Sequence, residues 1–299
     1  MGTGGLGGFF GGWLAAAGED VTFIARGTHL EAMRENGLTV TSKLGDRHVR
    51  NVQATDDPID VGPVDIILFC VKNYSLEDAA EKCLPLLKPN TAIISVLNGI
   101  DAAERIEAIV GLKHAVSGVT LVPSNIAGPG EIAHQGENTG IVFGELDGKA
   151  SPRLMKFRDA CRDAGLDAQI SPDITSAIWF KFIGWSSSSS VICANCGSFG
   201  ELQSDPALIQ LFRDTAAEAI RVGRASGASL PDDLVEKLVD VIHSFPPEAK
   251  PSMLVDLEQN KPIELDSACG AVTKLGEALS IETPINRALY AQLASRIDG

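Results

Sequence analysis

The chain opens with Gly2-Thr3-Gly4-Gly5-Leu6-Gly7, a GxGxxG pattern followed by an apolar segment that extends to about Ala17. Glycines at this spacing allow a tight turn, let the backbone approach a pyrophosphate, and let a helix pack closely on a sheet. The N-terminus of such a helix favours phosphate, because its first N–H groups have no partner within the helix. The pattern therefore predicts a bound dinucleotide, held by Gly2, Thr3, Gly4, Gly5, Leu6 and Gly7.

A short apolar strand is predicted after this helix, at Val21-Thr22-Phe23-Ile24-Ala25. At the end of such a strand a domain selective for NAD usually has a carboxylate that binds the ribose 2′-hydroxyl, whereas this chain has Arg26. A guanidinium suits a 2′-phosphate, so Arg26 favours NADPH over NADH. The alternative is that Arg26 is simply a solvated arginine at a strand end.

The strand that should precede the glycine-rich turn is missing, since only Met1 stands before Gly2. In a doubly wound sheet this first strand is central and hydrogen-bonded on both sides. Its omission would expose apolar surface and cost many kcal/mol. We therefore expect the natural polypeptide to begin about six residues earlier, with a strand rich in Val and Ile.

The composition is that of an ordinary globular protein, with 44% hydrophobic and 21% charged residues among 299. The net charge of −14 argues against nucleic acid or an anionic membrane as a partner, because both require a basic face. Neither a secretory pattern nor a span long enough for a bilayer is present, so a cytoplasmic protein with reduced cysteines is expected. A homodimer is compatible with the sequence but not required by it.

Two further buried strands are predicted, at Val64–Val71 and Thr91–Leu97, and they end at Lys72 and Asn98. The carboxyl ends of parallel strands form the crevice in which ligands bind, so both side chains are candidates for a site. After them, short strands with Gly and Pro breaks at Ala115–Val122 and Gly130–Phe143 indicate that an antiparallel or mixed portion completes the sheet. From Ile174 onward the pattern is helical only. The prediction is an α/β chain, with a Rossmann-type domain at 1–170 and a helical domain at 171–299.

Several of these motifs occur together in one known family. They are the glycine-rich turn, Ile24-Ala25-Arg26-Gly27, Val71-Lys72, Leu97-Asn98-Gly99, Trp179-Phe180-Lys181-Phe182, Ser252-Met253-Leu254-Val255-Asp256-Leu257-Glu258 and Ile263-Glu264-Leu265-Asp266. In combination, and over nearly the whole chain, the sequence resembles the ketopantoate reductase (2-dehydropantoate 2-reductase) family. The resemblance implies a Rossmann-type doubly wound sheet and a C-terminal domain like that of 6-phosphogluconate dehydrogenase. It also implies that a small 2-oxo acid is reduced with NADPH in the cleft between the domains.

The catalytic residues implied by the resemblance are Lys181, Glu264 and Asn98. Lys181 stands alone among apolar residues of a predicted helix, where a partly desolvated ammonium can donate a proton near neutral pH. A lysine that extends its charge to solvent from a helix face is the alternative. Glu264 is the natural partner for Lys181 or for a substrate hydroxyl, and Asn98 could orient either group or could simply be a turn residue.

The substrate-binding residues implied by the resemblance are Ser252, Asn98, Lys181, Trp185 and Ser189, with Lys72 and Asn98 also assigned to the cofactor. Ser252 has a helix N-cap as its alternative role. The family usually has Asn at the positions of Trp185 and Ser189, and a further amide at Cys269. These departures favour a substrate with a different or larger side chain.

Three functions therefore remain open at the level of sequence. The first is an NADPH-dependent ketopantoate reductase, the second a related enzyme for another 2-oxo or 2-hydroxy acid, and the third a dinucleotide-binding sensor without turnover. No metal is expected, because the five histidines show no ligand spacing and Cys193-Ala194-Asn195-Cys196 has no second pair. Small core or helix residues are the expected role of those two cysteines.

Overall fold

The computed structural model describes residues 1–111, 113–195 and 197–299. These residues form two compact units. The first consists of Met1–Leu97 and Asp101–Ile174, and the second of Asn98–Ile100 and Thr175–Gly299.

The first unit contains strands and helices in alternation over most of its length. Its strands are β1 (Thr22–Ile24), β2 (Leu38–Ser42), β3 (Arg47–Val49), β4 (Gln53–Thr55), β5 (Ile66–Phe69), β6 (Ala92–Ser95), β7 (Ala115–Thr120), β8 (Ser124–Gly128), β9 (Glu131–His134), β10 (Ile141–Gly144) and β11 (Ala168–Ile170). Its helices are α1 (Gly5–Ala16), α2 (Gly27–Asn36), α3 (Leu76–Lys82), α4 (Ala102–Val110) and α5 (Pro152–Asp163), with short 3-10 turns at Pro58–Asp60, Asn73–Ser75 and Leu84–Leu86.

The main sheet has the order β11-β10-β7-β6-β5. Strands β5, β6 and β7 are parallel, while β10 is antiparallel to β7 and parallel to β11. Strand β6 is buried at every position, as expected for a strand covered on both faces. Among the described residues, β1 pairs only with β4, in a separate two-stranded parallel sheet.

A second sheet, with the order β3-β2-β9-β8, was not anticipated from the sequence. We predicted that Ala115–Val122 and Gly130–Phe143 complete the main sheet with an antiparallel or mixed portion. Strands β7 and β10 do so, whereas β9 belongs to the second sheet, where β2 runs parallel to it with Thr39 opposite Glu131. Helix α1 packs on this sheet through its glycines. A Cβ at Gly8 would lie 2.6 Å from the Ile132 side chain, and one at Gly12 would lie 2.6 Å from Val40. Strands β2 and β9 are far apart in the chain, which explains why local pattern did not reveal their pairing.

The second unit is helical throughout its described part. Its helices are α6 (Ile174–Asn195, which begins one residue before the unit), α7 (Phe199–Ser204), α8 (Pro206–Ala225), α9 (Leu234–Ser244), α10 (Ser252–Glu258), α11 (Cys269–Ala278) and α12 (Pro284–Leu293), followed by a 3-10 turn at Ala294–Arg296. Helix α6 packs closely on α8, since a Cβ at Gly223 would lie 2.8 Å from the Trp179 ring. Trp179 in turn meets Phe182 edge to face, at 5.4 Å between centroids.

One buried carboxylate organises the end of this unit. Glu218 of α8 accepts hydrogen bonds from the backbone N–H groups of Ile285 and Asn286, at 3.0 and 2.9 Å, and from the Asn286 side chain at 2.8 Å. It therefore caps the N-terminus of α12 with a full negative charge. Within the described ranges, no helix combines the length and apolar character needed to cross a bilayer.

Candidate functional site

The three fingerprint glycines have distinct surroundings in the first unit. Gly2 has a φ of +85°, which L residues rarely adopt, so a glycine is needed for the turn. A Cβ at Gly7 would collide with the Gly2 carbonyl oxygen, whereas one at Gly4 would meet nothing within 4 Å. The turn is therefore closely packed at Gly7, whereas the space next to Gly4 is open. This arrangement fits a dinucleotide pyrophosphate.

The N-terminus of α1 is suited to an anion. Its N-cap is Gly4, no side chain caps it, and its first turn contains no acidic residue. The first N–H groups and the positive end of the helix dipole therefore have no counter-charge from the helix itself. The residues around the turn fit the dinucleotide that the sequence predicted.

The remaining predicted cofactor residues differ in what they contact. The Thr3 hydroxyl donates to the Ile24 carbonyl at 3.0 Å, so this side chain anchors the turn to β1. Leu6 packs against the hydrophobic core of the first unit. Arg26 is exposed at the N-cap of α2, and its side chain forms no hydrogen bond or ion pair with any residue of the described part. Lys72 is half-buried and begins the 3-10 turn that follows β5.

Sequence reasoning missed Ser124 at this turn. A Cβ at Gly5 would collide with the Ser124 carbonyl oxygen, so β8 lies directly against the start of α1. The Ser124 hydroxyl is buried and has no hydrogen-bond partner among the described residues. No local signal in the sequence links two positions so far apart, because their contact depends on the unanticipated second sheet.

In the second unit, two predicted catalytic residues are joined directly. The Asn98 side-chain amide donates to a Glu264 carboxylate oxygen at 3.2 Å, although the two residues are 166 positions apart in the chain. Glu264 is 5% exposed and lies in the segment between α10 and α11. The Asn98–Ile100 segment belongs to this helical unit, which explains how a residue after β6 meets Glu264.

Lys181 lies in the first half of α6 and is half-buried. Burial lowers the pKa of Lys181 from its ordinary 10.5 to about 8, and the Glu264 carboxylate acts in the opposite direction. An ammonium in this environment loses its proton far more readily than a solvated lysine. Lys181, Glu264 and Asn98 therefore form a group that can hold and release a proton near neutral pH.

The predicted substrate residues Trp185 and Ser189 follow Lys181 at intervals of four on α6, so the three side chains share one helix face. The Trp185 indole N–H and the Ser189 hydroxyl are buried and lack hydrogen-bond partners among the described residues. Buried donors of this kind are costly unless a ligand or water pairs with them. Trp185 also contacts Phe182, with 6.3 Å between the rings.

The alternative role of Ser252 as a helix N-cap is ruled out, because Pro251 occupies that position and Ser252 is the first residue of α10. Its side chain is exposed.

Burial raises the pKa of the Cys269 thiol to about 11, so this cysteine stays protonated at neutral pH. The prediction for the cysteine pair falls partly outside the described residues, since Cys196 is not among them.

Comparison with known proteins covers both units. Residues 1–148 match the family described as Ketopantoate reductase PanE/ApbA, and residues 173–296 match Ketopantoate reductase PanE/ApbA C terminal. A 2-dehydropantoate 2-reductase of Archaeoglobus fulgidus is 31% identical over 290 residues, which cover 97% of this chain and 94% of that protein. One from Mesorhizobium japonicum is 29% identical over 315 residues, with the same shares covered.

A solved structure agrees with these matches. The crystal structure of a PanE/ApbA family ketopantoate reductase from Ralstonia eutropha JMP134 has a TM-score of 0.91 to this chain at 29% identity. The similarity covers 100% of this chain and 97% of that one. It confirms the predicted fold class, a Rossmann-type sheet with helices followed by a helical unit.

Proposed function

The chain belongs to the ketopantoate reductase family, and from this we propose that it reduces 2-dehydropantoate (ketopantoate) to pantoate with NADPH, a step of pantothenate biosynthesis. Family membership confirms the resemblance seen in the sequence and makes the chain an NAD(P)-dependent oxidoreductase that acts on CH–OH groups. The substrate and the preference for NADPH are the parts that need experiment.

The observation that carries the proposal is the half-buried Lys181, whose pKa is lowered by burial and raised by the Glu264 carboxylate. Reduction of a ketone places negative charge on the carbonyl oxygen, and a positioned ammonium both stabilises that charge and supplies the proton. With a pKa of about 8, Lys181 is about 90% protonated at pH 7 and still a usable acid. We assign Lys181 Nζ as the proton donor to the substrate oxygen.

Glu264 and Asn98 support that donor. The Glu264 carboxylate raises the pKa of Lys181 against the effect of burial, so it keeps the lysine charged. The amide of Asn98 holds one Glu264 oxygen, which restricts the orientation of the carboxylate. Loss of Asn98 should therefore lower the rate by disordering Glu264, with Lys181 still present. Ser252 is assigned the polar end of the substrate.

The cofactor would be held by residues of the first unit. A bound nicotinamide dinucleotide supplies the hydride for the keto carbon. The open space above Gly4 and the uncapped start of α1 suit its pyrophosphate, and the Ser124 hydroxyl offers one more donor there. The exposed guanidinium of Arg26 suits a 2′-phosphate, and Lys72 is assigned to the same cofactor.

The test is the initial rate of NADPH oxidation with ketopantoate, compared with NADH, for the wild type and for Lys181→Met. Lys274→Met is the matched control, because Lys274 is an exposed lysine on another helix of the same unit. We expect Lys181→Met to lower kcat at least about 100-fold while the Kd for NADPH is unchanged. Equal rates in the two variants would contradict the role of Lys181. An absence of turnover by the wild type with every 2-oxo acid would favour a dinucleotide sensor.

A second candidate is favoured by the unpaired donors on α6. Where the family usually has Asn, Trp185 offers an indole N–H and an apolar ring, and Ser189 offers a shorter hydroxyl. These two side chains suit a 2-oxo acid with a larger side chain than that of ketopantoate. Turnover of aromatic or long aliphatic 2-oxo acids above ketopantoate would support this candidate. In that case Trp185→Asn should shift the kcat/KM ratio back towards ketopantoate.

A further inference from the structure

Glu264 lies in a segment without regular secondary structure. The segment joins α10, which ends at Glu258, to α11, which begins at Cys269. Within it, the Ser267 N–H donates to the Glu264 carbonyl at 3.2 Å, which begins the turn into α11. A functional side chain on an irregular segment keeps its orientation only if neighbouring elements hold the backbone around it. The position of Glu264 therefore depends on contacts with other parts of the second unit.

Helix α12 and the 3-10 turn after it contact this segment on both sides of Glu264. One residue before the carboxylate, the Ile263 N–H donates to the Ile297 carbonyl at 2.9 Å. Two residues after it, the Asp266 carboxylate accepts a hydrogen bond from the Tyr290 hydroxyl at 2.7 Å. The two bonds come from the same part of the fold, so together they fix the segment at two points that flank Glu264.

Close packing supports these two bonds. A Cβ at Gly270 would lie 3.0 Å from the Tyr290 ring, so the start of α11 lies directly against that ring. The residues on either side of the carboxylate, Ile263 and Leu265, are buried in the same hydrophobic cluster as the apolar face of α12. The Tyr290 ring is thus restricted by its neighbours, and its hydroxyl is held in place.

Helix α12 is also attached to α6, the helix that carries Lys181. The Gln292 side-chain amide donates to the Ala194 carbonyl at 2.8 Å, in the last turn of α6. At the other end of α12, Glu218 of α8 caps the N-terminus. One helix is therefore fixed to α6, to α8 and to the segment of Glu264. It sets the position of the carboxylate relative to the lysine.

We propose that Tyr290 is a positioning residue for the reaction and acts through Glu264. Its hydroxyl holds Asp266, and the Ile297 carbonyl holds the other side of the segment. Loss of the hydroxyl frees the segment on one side, so Glu264 spends less time near Lys181 and stabilises the ammonium less. The inference rests on the proposed function, in which Lys181 donates the proton and Glu264 keeps it charged.

The test measures the pKa of Lys181 in the wild type and in Tyr290→Phe. The side-chain carbon resonances of 13C-labelled lysine are followed by NMR between about pH 6 and pH 11, and Lys181→Met identifies the resonance of Lys181. Ser226→Ala is the matched control, because it also removes one hydroxyl, which donates to the Val222 carbonyl within α8. Neither substrate nor cofactor is added, so the result does not depend on turnover of ketopantoate.

The pKa of Lys181 is about 8 in the wild type, and we expect it to be about 0.5 lower in Tyr290→Phe. Ser226→Ala should match the wild type. In a Glu264→Gln background, Tyr290→Phe should have no further effect, because no carboxylate remains to be positioned. With ketopantoate, Tyr290→Phe should lower kcat about three- to tenfold and change KM less than about twofold.

Equal pKa values of Lys181 in Tyr290→Phe and in the wild type would overturn the proposal. A decrease of the same size with and without the Glu264 carboxylate would also overturn it, because Tyr290 would then act on the structure in general. If Tyr290→Phe does not fold, Asp266→Ala breaks the same bond from the other side, and Asp266→Asn, which keeps an acceptor, is its reference. A wild type that reduces no 2-oxo acid would refute the proposed function, and the titration would still decide the role of Tyr290.

Discussion

The pH dependence of reduction follows directly from the environment of Lys181. Burial brings the pKa of this lysine down to about 8. The protonated form is the one that donates, so the rate should fall as pH rises through that value. From pH 7 to pH 9 the ammonium fraction drops from about 90% to about 10%, whereas a lysine at 10.5 would keep about 97% at pH 9. We therefore expect kcat to decrease about tenfold over this interval.

Glu264→Gln provides the second half of this prediction. The Glu264 carboxylate raises the pKa of Lys181. Its neutralisation should therefore move the inflection of the rate-against-pH profile to a lower pH than in the wild type. Glu277→Gln is the matched control, because Glu277 pairs with Arg287 on the surface of the same unit. The assay is single-turnover oxidation of NADPH with saturating substrate, between about pH 6 and pH 10.

The same experiment can refute the reasoning. A wild-type rate that stays level to about pH 10 would mean that Lys181 has an ordinary pKa or does not donate the proton. An inflection that stays in place in Glu264→Gln would mean that the carboxylate does not act on the lysine. A shift of equal size in Glu277→Gln would assign the effect to net charge instead.

Other predictions concern the cofactor turn and a buried cap. Arg26→Asp should weaken NADPH binding at least about tenfold and NADH binding much less, as measured by calorimetric titration. Gly7→Ala should lower the free energy of unfolding by about 1–3 kcal/mol, because its Cβ would collide with backbone. Gly4→Ala should leave the free energy of unfolding unchanged but weaken dinucleotide binding, because a Cβ at Gly4 would meet no protein atom within 4 Å. Equal destabilisation by Gly4→Ala and Gly7→Ala would contradict the open space at Gly4. Glu218→Gln should cost about 1.5–3 kcal/mol in denaturant unfolding, because Asn286 and the α12 N-terminus lose a charged acceptor.

Features encoded in contiguous sequence were predictable. The glycine turn, the helix after it and the long helix around Lys181 all depend on local pattern and turn chemistry. The fold class followed from strands that alternate with helices and then give way to helices alone. The roles assigned to the site residues remain predictions, although Asn98 and Glu264 do meet.

Features that depend on distant pairing were not predictable. Strand β2 joins β9 across about ninety residues, and no local periodicity shows which strand another will choose. The contact of Ser124 with Gly5 follows from that pairing. Helix α7 and strand β11 have only six and three residues, so their periodic signal is too weak for either to be predicted individually.

The glycines of α1 have a consequence for the synthesis of the protein. Glycine weakens an isolated helix by about 1 kcal/mol per residue, and α1 contains five between Gly5 and Gly12. This helix therefore depends on its neighbours, among them Val40 of β2 and Ile132 of β9. A ribosome has to release well over a hundred residues before Ile132 can arrive. Helix α1 is thus translated long before Ile132, and we expect it to become structured only after much of the first unit has left the exit tunnel.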